Sequence, residues 1–254
     1  MGLVIEARKV SMTYQSPDGE LQALRDVNLK VPEGAFVSIV GPSGCGKSTL
    51  LSLMAGLEKP TSGQILMDGE EVTGTTAKIG LMPQRDQLFE WRTIWKNVLL
   101  GPEIRREITD EVQNAVRSML DQYALKSFSQ NQPSKLSGGM RQRCALIRTL
   151  AVSPEVLLLD EPFSALDYQT RLAVSDDIAR IIRQTGKTAV LVTHDISEAI
   201  SMSDQIVVLS SRPGTVKTVH DLRSLSGVLP LERRSLPEFQ ALFNTVWEEL
   251  DINA

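Results

Sequence analysis

Cysteine is scarce in this chain, and its scarcity excludes two kinds of stabilising site. The 254 residues include two cysteines, Cys45 and Cys144, and neither belongs to a CxxC pair. We therefore expect neither a disulfide framework nor a zinc site, and the composition fits a reducing compartment. Cys45 is interpreted as a small space-filling residue without a catalytic role, and a thiol of lowered pKa is the alternative.

Long hydrophobic runs and a large excess of one charge are also missing. No apolar run approaches the roughly 18 residues of a membrane-spanning helix, and the N-terminus MGLVIEARKV lacks the pattern of a signal peptide. The formal net charge of -4 provides no overall attraction to nucleic acid or acidic lipid. We expect a protein that is neither exported nor membrane-spanning, binds no nucleic acid and reaches a membrane only through a partner protein.

What the chain does contain is an alternation of strand-like and helical patterns. The segments LVIEARKVSMTY and LQALRDVNLKV alternate apolar and polar residues, which predicts an N-terminal antiparallel β layer. The apolar runs EVLLLD, TAVLVTHD and QIVVLS are separated by helical patterns, which predicts a mostly parallel core sheet covered on both faces. The fold class is therefore α/β, with residues 1–254 as one domain.

Two further segments are expected on that core. A helical insert is predicted at about residues 88–152, because apolar residues repeat at helical spacing from Thr109 to Tyr123. A C-terminal tail at about residues 212–254 ends in an amphipathic helix, for which Ser235 and Glu238 have capping-box spacing. We interpret it as a helix docked on the domain, and a partner-binding helix is the alternative.

The glycine-rich stretch GPSGCGKST joins a strand-like run, AFVSIV, to KSTLLSLMAGL, whose helical spacing predicts a buried face reaching Leu57. Glycines let successive N–H groups point at an anion, and the positive end of the helix reinforces that attraction. Lys47 would supply a charge for the β- and γ-phosphates, and Ser48 a hydroxyl for Mg²⁺. The alternative is a turn that binds nothing. The predicted nucleotide-binding residues of the stretch are Gly41, Pro42, Ser43, Gly44, Cys45, Gly46, Lys47, Ser48 and Thr49.

Two acids, Asp160 and Glu161, end the apolar run VLLLDEP. Ligands of open α/β sheets collect at the carboxyl ends of the strands, so we expect these side chains to meet the phosphate loop. Asp160 would hold Mg²⁺, directly or through water, and Glu161 would act as general base on the attacking water. A charged pair that merely ends a strand is the alternative.

The stretch LSGGMRQR predicts a second helix start without a strand-like run before it. Ser137 is placed to cap this helix, and Gly138 and Gly139 leave its first amides open to an anion. The stretch cannot bind the same nucleotide by a simple strand–loop–helix arrangement. From the residues alone, a capped helix without any ligand is an equally good interpretation.

Together these motifs resemble the ATP-binding cassette (ABC) ATPases. The resemblance rests on GPSGCGKST, LMPQ, LSGGM, LLLDEP, SALD and VTHD, which occur in the family's order over most of the chain. It implies a P-loop NTPase fold with ATP and Mg²⁺ as cofactors. It also implies a head-to-tail dimer, in which Ser137 and Gly139, with Gly138 between them, reach the γ-phosphate on a second copy of the chain.

The resemblance further assigns roles to single residues. Gln84 would touch Mg²⁺ and the lytic water, and His194 would contact the γ-phosphate and hold Glu161 and the water in place. Tyr14 would stack on adenine, with core packing as the alternative. Asp167, the end of SALD, joins the nucleotide site. The predicted catalytic residues are Lys47, Gln84, Glu161 and His194, and the predicted metal ligands are Ser48, Gln84 and Asp160.

Two positions depart from the family pattern. Met140 stands where the signature commonly has glutamine, so the helix cap is expected to survive without the contacts of an amide. The stretches LFEWRTIWKNV and VVLSSRPGTV resemble cassettes of the nitrate, sulfonate, taurine and hydroxymethylpyrimidine importers, which commonly have proline at the position of Glu90. Trp91 and Trp95 would then lie near a groove for a permease helix, with core packing as the alternative.

The resemblance implies the ATP-hydrolysing subunit of an ABC importer, peripheral on the cytoplasmic face of the membrane. Its partners would be a second copy of itself, membrane permease subunits and, indirectly, a solute-binding protein, so solute recognition is expected on other chains. The alternatives are a soluble ABC ATPase without a transport function, a P-loop kinase of small molecules, and a pure interaction module. The signature LSGGM argues against the kinase, and the predicted Mg²⁺-binding set argues against the interaction module.

Overall fold

Two β-sheets form the framework of the chain, which a computed structural model describes over residues 2–17 and 19–250. Residues 251–254 of the predicted C-terminal tail lie outside the described residues. The strands are β1 (Leu3–Ser16), β2 (Gly19–Pro32), β3 (Phe36–Val40), β4 (Ser62–Met67), β5 (Glu70–Glu71), β6 (Ile79–Met82), β7 (Val156–Asp160), β8 (Thr188–Val192), β9 (Gln205–Leu209) and β10 (Val216–Asp221). The α-helices are α1 (Lys47–Met54), α2 (Ile94–Val98), α3 (Leu100–Arg105), α4 (Asp110–Gln122), α5 (Gly138–Leu150), α6 (Tyr168–Thr185), α7 (Ile196–Met202), α8 (Pro230–Arg233) and α9 (Pro237–Glu249).

The first sheet is antiparallel and has the strand order β2-β1-β4-β5. In β2 the side chains of Val27, Leu29 and Val31 are buried, whereas the intervening Asn28 and Lys30 are exposed. This alternation is what a strand with one solvated face requires. The predicted N-terminal antiparallel layer is confirmed.

The second sheet has the order β10-β9-β3-β8-β7-β6, and its strands from β9 to β6 are parallel. Successive residues of β7 enter different apolar clusters: Val156 and Leu158 pack on the side of α1, and Leu157 and Leu159 on the side of α6. A strand covered by helices on both faces must be apolar at every position. The predicted parallel core sheet is confirmed.

The parallel strands all direct their carboxyl ends to one edge of the second sheet. Along that edge the ends follow one another in the order β9, β3, β8, β7 and β6. The loops after these strands therefore lie side by side, although long stretches of chain separate them in sequence. This edge is where an open α/β sheet binds its ligands.

Helices α2 to α5 form a helical unit with an apolar cluster of its own, which includes Ile94, Val98 and Val116. The predicted helix from Thr109 to Tyr123 is present as α4, where Thr109 Oγ1 accepts the amide of Val112 at 3.3 Å. The limits given above for the insert and the tail remain predictions. Among the described residues, no helix combines the length and the apolar content needed to cross a membrane.

The predicted buried face of α1 is too long. Leu50, Leu51 and Met54 are buried, but α1 ends at Met54 and the side chain of Leu57 is 56% exposed. The reason is Gly56, whose φ of +69° ends the helix in the left-handed region. A Cβ at Gly56 would overlap the carbonyl oxygen of Gly74, so this close approach requires glycine.

The predicted capping box at Ser235 and Glu238 is wrong, because α9 begins one residue later than that motif requires. Leu236 occupies the cap position without a side-chain hydrogen bond, and Pro237 starts the helix with its preset φ. The predicted docking of this helix is confirmed, since Val246 and Leu250 are buried in a cluster with residues of α7.

Candidate functional site

A cleft of about 640 Å³ opens at the carboxyl edge of the parallel strands, between the second sheet and the ends of β1 and β2. The loop from β3 to α1 forms its floor, and residues after β7, β8 and β9 contribute to its walls. The cleft is lined by Tyr14, Leu21, Ala23, Ser43, Gly44, Gly46, Lys47, Ser48, Thr49, Glu161, His194 and Arg212. Nine of these twelve residues belong to the predicted site, and the cleft therefore brings together half of the eighteen predicted residues.

The loop from β3 to α1 has the geometry of a phosphate cradle. Gly44 and Gly46 have φ values of +74° and +101°, which side chains with a Cβ rarely adopt. Lys47 Nζ donates to the carbonyl oxygens of Gly41 and Pro42 at 2.7 and 2.9 Å. An ammonium carries three donors, and the third approaches only the weak acceptor Cys45 Sγ at 3.9 Å. The lysine thus holds the loop and retains a donor for an anion.

Ser48 and Asp160 meet across the cleft floor. Ser48 Oγ donates to Asp160 Oδ1 at 3.0 Å, so the first turn of α1 is joined to the end of β7. Burial is the main influence on Asp160 and raises the pKa of its carboxyl group, partly offset by the hydrogen bond from Ser48. A hydroxyl and a carboxylate at this separation are a donor set that suits a hard cation such as Mg²⁺.

No larger metal-binding cluster competes with that pair within residues 2–17 and 19–250. In this part of the chain, no group of three or more His, Cys, Asp or Glu side chains is arranged to hold a metal ion. Mg²⁺ commonly binds through one or two protein oxygens, with phosphate oxygens and water as its other ligands. The two oxygen ligands that Ser48 and Asp160 offer therefore suit Mg²⁺ bound together with a nucleotide.

Glu161 receives two neighbours on a single carboxylate oxygen. Gln84 Nε2 donates to Glu161 Oε2 at 3.2 Å, and His194 Nδ1 lies 3.2 Å from the same oxygen. Oε1 has no hydrogen-bond partner among the described residues, so it remains available to a water molecule. The φ of Glu161 is +43°, a strained value of the kind that clusters at functional sites. These three predicted residues are thus brought together.

A buried network supports the loop that carries His194. Thr193 Oγ1 donates to Glu198 Oε2 at 2.7 Å, and Arg171 Nη1 donates to Asp195 Oδ2 at 3.2 Å. Burial raises the pKa of Glu198 to about 7, and the hydrogen bond from Thr193 opposes that shift. The exposed imidazole of His194 is therefore mounted on a fixed backbone.

Tyr14 lines the cleft and is tied to α1 through its hydroxyl group. The phenol donates to Glu58 Oε2 at 2.7 Å and lies 3.4 Å from Thr49 Oγ1. Partial burial raises its pKa, partly offset by Thr49. These contacts fix the ring at the mouth of the cleft without enclosing it in the core.

The signature residues lie elsewhere. Ser137 Oγ accepts the amide of Met140 at 3.4 Å, so the predicted cap of α5 is confirmed with methionine at that position. A Cβ at Gly139 would come within 2.9 Å of Thr170 Cγ2 on α6. Asp167 caps α6 by accepting the amide of Thr170 at 3.0 Å. None of Ser137, Gly138, Gly139 and Asp167 is among the residues that line the cleft.

Three residues that line the cleft were not predicted as site residues from the sequence: Leu21, Ala23 and Arg212. Arg212 follows β9, and the rule that ligands meet strand carboxyl ends was a usable signal for it.

Cys45 contributes no reactive thiol, because burial raises its pKa. Cys144 is also buried, with its pKa raised to about 12 by burial, and both cysteines are free.

Comparison with known proteins decides the family. Residues 24–164, more than half of the chain, match the family model described as ABC transporter. The chain belongs to the ABC transporter ATP-binding family. It is similar to the ABC transporter ATP-binding protein YtlC of Bacillus subtilis, at 47% identity over 95% of this chain and 94% of that protein.

Two other similarities concern transport and dimer formation. The taurine import ATP-binding protein TauB of Roseobacter denitrificans is 36% identical over 96% of this chain and 94% of its own length. The ATP-binding cassette MJ0796, solved as a dimer in a post-hydrolysis state with ADP and Pi, superposes with a TM-score of 0.74 at 32% identity. That match covers 86% of this chain and 99% of MJ0796. The ABC protein described here is accordingly an ATP-binding subunit and an ATPase.

Proposed function

We propose that this ABC ATPase drives a solute importer of the nitrate, sulfonate and taurine group through a separate membrane permease. The similarity to the taurine import ATP-binding protein TauB supports the importer part of the proposal. The observation that supports hydrolysis is the set of groups around Glu161, which Gln84 and His194 contact on one oxygen beside the loop of Lys47. Such a set fits the release of phosphate from ATP. The subunit would lie at the cytoplasmic face of the membrane and be held there by the permease.

The nucleotide would lie along the cleft with its base toward Tyr14. The loop from Gly41 to Thr49 would surround the phosphates with backbone amides, and Lys47 would add a positive charge. Ser48 and Asp160 would hold Mg²⁺, which when bound neutralises charge on the phosphate oxygens. The hydrogen bond between these two side chains supports that assignment, because it holds Ser48 Oγ and Asp160 Oδ1 3.0 Å apart.

Glu161 would accept a proton from the attacking water at Oε1. Its other oxygen is held by Gln84 and His194, so the carboxylate cannot rotate freely away from the cleft. The histidine would in addition contact the γ-phosphate and keep the water in line. A positioned base of this kind contributes about 10²- to 10⁴-fold to a rate.

The signature helix would act on a second copy of the chain. Ser137 lies outside the cleft of its own chain, yet α5 presents the positive end of a helix at an exposed position. A head-to-tail pair would bring this end to the γ-phosphate bound by the partner's loop. The dimeric state of MJ0796 supports this arrangement.

The permease would dock on the surface around Trp91. This side chain is 75% exposed and stacks on Phe89 with ring centroids 4.8 Å apart, whereas Trp95 is half-buried against the apolar cluster of the insert. An exposed tryptophan on a stacked platform suits a protein partner. Arg141 of the signature helix binds Asp86 and Glu90 at 2.8 Å each, which links this surface to α5.

A non-transport ABC ATPase is the remaining alternative, and an importer test separates the two. In cells that lack the chromosomal copy of this gene, we expect the wild-type chain to restore uptake of labelled taurine or another small sulfonate or oxyanion, and Glu161→Gln to fail. Trp91→Ala should reduce recovery of the chain with the membrane fraction, whereas Trp247→Ala, which removes an exposed tryptophan from α9, should not. Membrane recovery and uptake that do not depend on this chain would contradict the importer function.

A further inference from the structure

The carboxyl end of β9 has no assigned role in the nucleotide site, although it lies beside the phosphate loop. The neighbouring ends supply the loop itself after β3, His194 after β8, Asp160 and Glu161 at β7, and Gln84 after β6. The turn after β9, residues 210–215, brings Arg212 to the wall of the cleft. The fifth strand end therefore also contributes a polar side chain to the same cavity.

The backbone that carries Arg212 is firmly held. Ser210 donates its amide to the carbonyl oxygen of Thr215 at 3.0 Å, and their hydroxyl groups are also 3.0 Å apart. Gly214 donates to the carbonyl oxygen of Ala23 at 2.9 Å, which ties the turn to β2. A Cβ at Gly214 would overlap the carbonyl oxygen of Cys45, so the turn also packs directly on the phosphate loop.

The guanidinium group of Arg212 is uncommitted. Among the described residues it has no hydrogen bond and no ion pair, and the only other lysine or arginine lining the cleft is Lys47. Two donors of Lys47 are already used by the carbonyl oxygens of Gly41 and Pro42. A guanidinium offers five N–H donors in a fork that matches phosphate oxygens. The cleft thus holds a second cation suited to an anionic ligand.

The position of β9 decides which part of a nucleotide this cation can reach. β9 lies on one side of β3, whereas β8 and β7, which carry His194 and Glu161, lie on the other. We propose that Arg212 binds the nucleotide polyphosphate from the flank opposite Glu161, through phosphate oxygens that ATP and ADP share. The inference rests on the nucleotide placement given under the proposed function. Arg212 is then a binding residue that sets nucleotide affinity.

Titration of purified protein with ADP and with ATP in the absence of Mg²⁺, at one ionic strength, tests the contact. Arg212→Gln should weaken both affinities by a similar factor of about tenfold, the value of one charge-assisted hydrogen bond. Arg212→Lys should retain most of the affinity, because a phosphate contact needs the charge more than the planar group. Arg25→Gln is the matched control, since it removes an equal charge from β2 at a position that does not line the cleft.

Several results would overturn the inference. An unchanged ADP affinity in Arg212→Gln would do so. If ADP affinity is unchanged but adding Arg212→Gln to the Glu161→Gln variant weakens its ATP-dependent dimer, Arg212 contacts the partner subunit instead. Equal losses in Arg212→Lys and Arg212→Gln, larger for ATP than for GTP, would instead indicate stacking on the base. Lys47→Ala distinguishes a wrong role for Arg212 from a wrong position of the nucleotide. If Lys47→Ala also binds ADP with normal affinity, the nucleotide does not lie in this cleft.

Discussion

Two helix starts in this chain, those of α1 and α5, have the local features of an anion site, but only one opens on a cleft of its own chain. α1 begins after Gly46, which has no side chain to occupy the first amides. α5 begins after Ser137, whose hydroxyl group accepts one of them. Around α1 the sheet edge assembles Lys47 and Glu161 in one cavity, whereas no signature residue lines that cavity.

The difference teaches that the neighbours which the sheet places beside a helix terminus decide how many polar groups meet there. The positive end of a helix attracts an anion with less than about 1 kcal/mol when it is exposed. α1 adds the charge of Lys47 and the hydrogen-bonded pair of Ser48 and Asp160, and Glu161 lines the same cleft. α5 has none of these neighbours, so its contribution is expected only when a second chain supplies them.

The strongest test of the α1 site is Glu161→Gln. The amide keeps the size and polarity of the side chain but cannot accept the proton of water, so turnover should fall by about 10²- to 10⁴-fold while ATP binding persists. ATP should then accumulate in a stable dimer. Phosphate release and size-exclusion chromatography with ATP measure both effects, and hydrolysis at the parental rate would show that Glu161 is not the base.

Lys47→Ala should affect binding and turnover together, which separates it from Glu161→Gln. The variant loses the charge for the phosphates and the two bonds to the carbonyl oxygens of Gly41 and Pro42. We expect nucleotide affinity to fall on the order of 10²-fold, as for removal of one partner from a hydrogen-bonded charge pair. Titration with a fluorescent ATP analogue measures the loss; a normal affinity would contradict the assigned cradle.

A mixed dimer of Ser137→Arg and Lys47→Ala tests whether α5 completes the site of the other subunit. Each variant alone should be inactive, because the arginine blocks the helix start and the alanine removes the charge of the loop. In the mixed dimer, the intact loop of the Ser137→Arg chain faces the intact signature of the Lys47→Ala chain. Mixing should therefore restore some phosphate release, up to the activity of one site.

Mixing must be accompanied by proof that heterodimers form, because chains that remained in homodimers would also leave phosphate release at background. A pull-down with two different affinity tags, in the presence of ATP, provides that proof. Background phosphate release from verified heterodimers, with nucleotide bound at one site, would favour a site confined to one subunit. That outcome would remove the distinction drawn between the two helix starts.

The smallest expected effect concerns the glycines of α5. Gly139→Ala places a Cβ 2.9 Å from Thr170 Cγ2 and 3.0 Å from Val174 Cγ2, and such overpacking costs about 1 to 3 kcal/mol against a gain in helix propensity of about 1 kcal/mol. Gly138→Ala meets only the flexible end of Leu166 at 3.0 Å. Urea unfolding should show Gly139→Ala destabilised relative to Gly138→Ala, and equal midpoints would contradict a packing role for Gly139.

Much of the candidate nucleotide site could be predicted from local sequence. GPSGCGKST requires left-handed glycines and a helix start within nine residues, and both depend on short-range backbone geometry. The assignment of Asp160 and Glu161 to the end of a strand likewise needed only the apolar run before them. The cap of α9 was missed because Pro237 outcompetes a serine two residues earlier as the helix start.

The contacts within the site were beyond local reasoning. The resemblance to a family suggested that Gln84 and His194 act with Glu161, but spacing gave no reason for it, since 77 residues separate Gln84 from Glu161. The strand-end rule could have placed Arg212 at the carboxyl edge of the sheet, but it does not choose the neighbours of that edge position. The place of Arg212 in the cleft depends on the pairing of β9 with β3, which joins distant parts of the chain.

The sequence by itself determined the elements of this protein, the phosphate loop and the acids that end β7, because apolar periodicity and glycine content act over a few residues. Only the tertiary structure decided the lateral order of the strands, in which the amide of Phe36 bonds Asp204 Oδ2 at 2.8 Å across 168 residues. That order sets which strand ends flank the phosphate loop. It brings His194, Glu161 and Arg212 to one cleft and leaves Ser137 outside it, since packing of both sheet faces, and not local propensity, selects the neighbours of each strand.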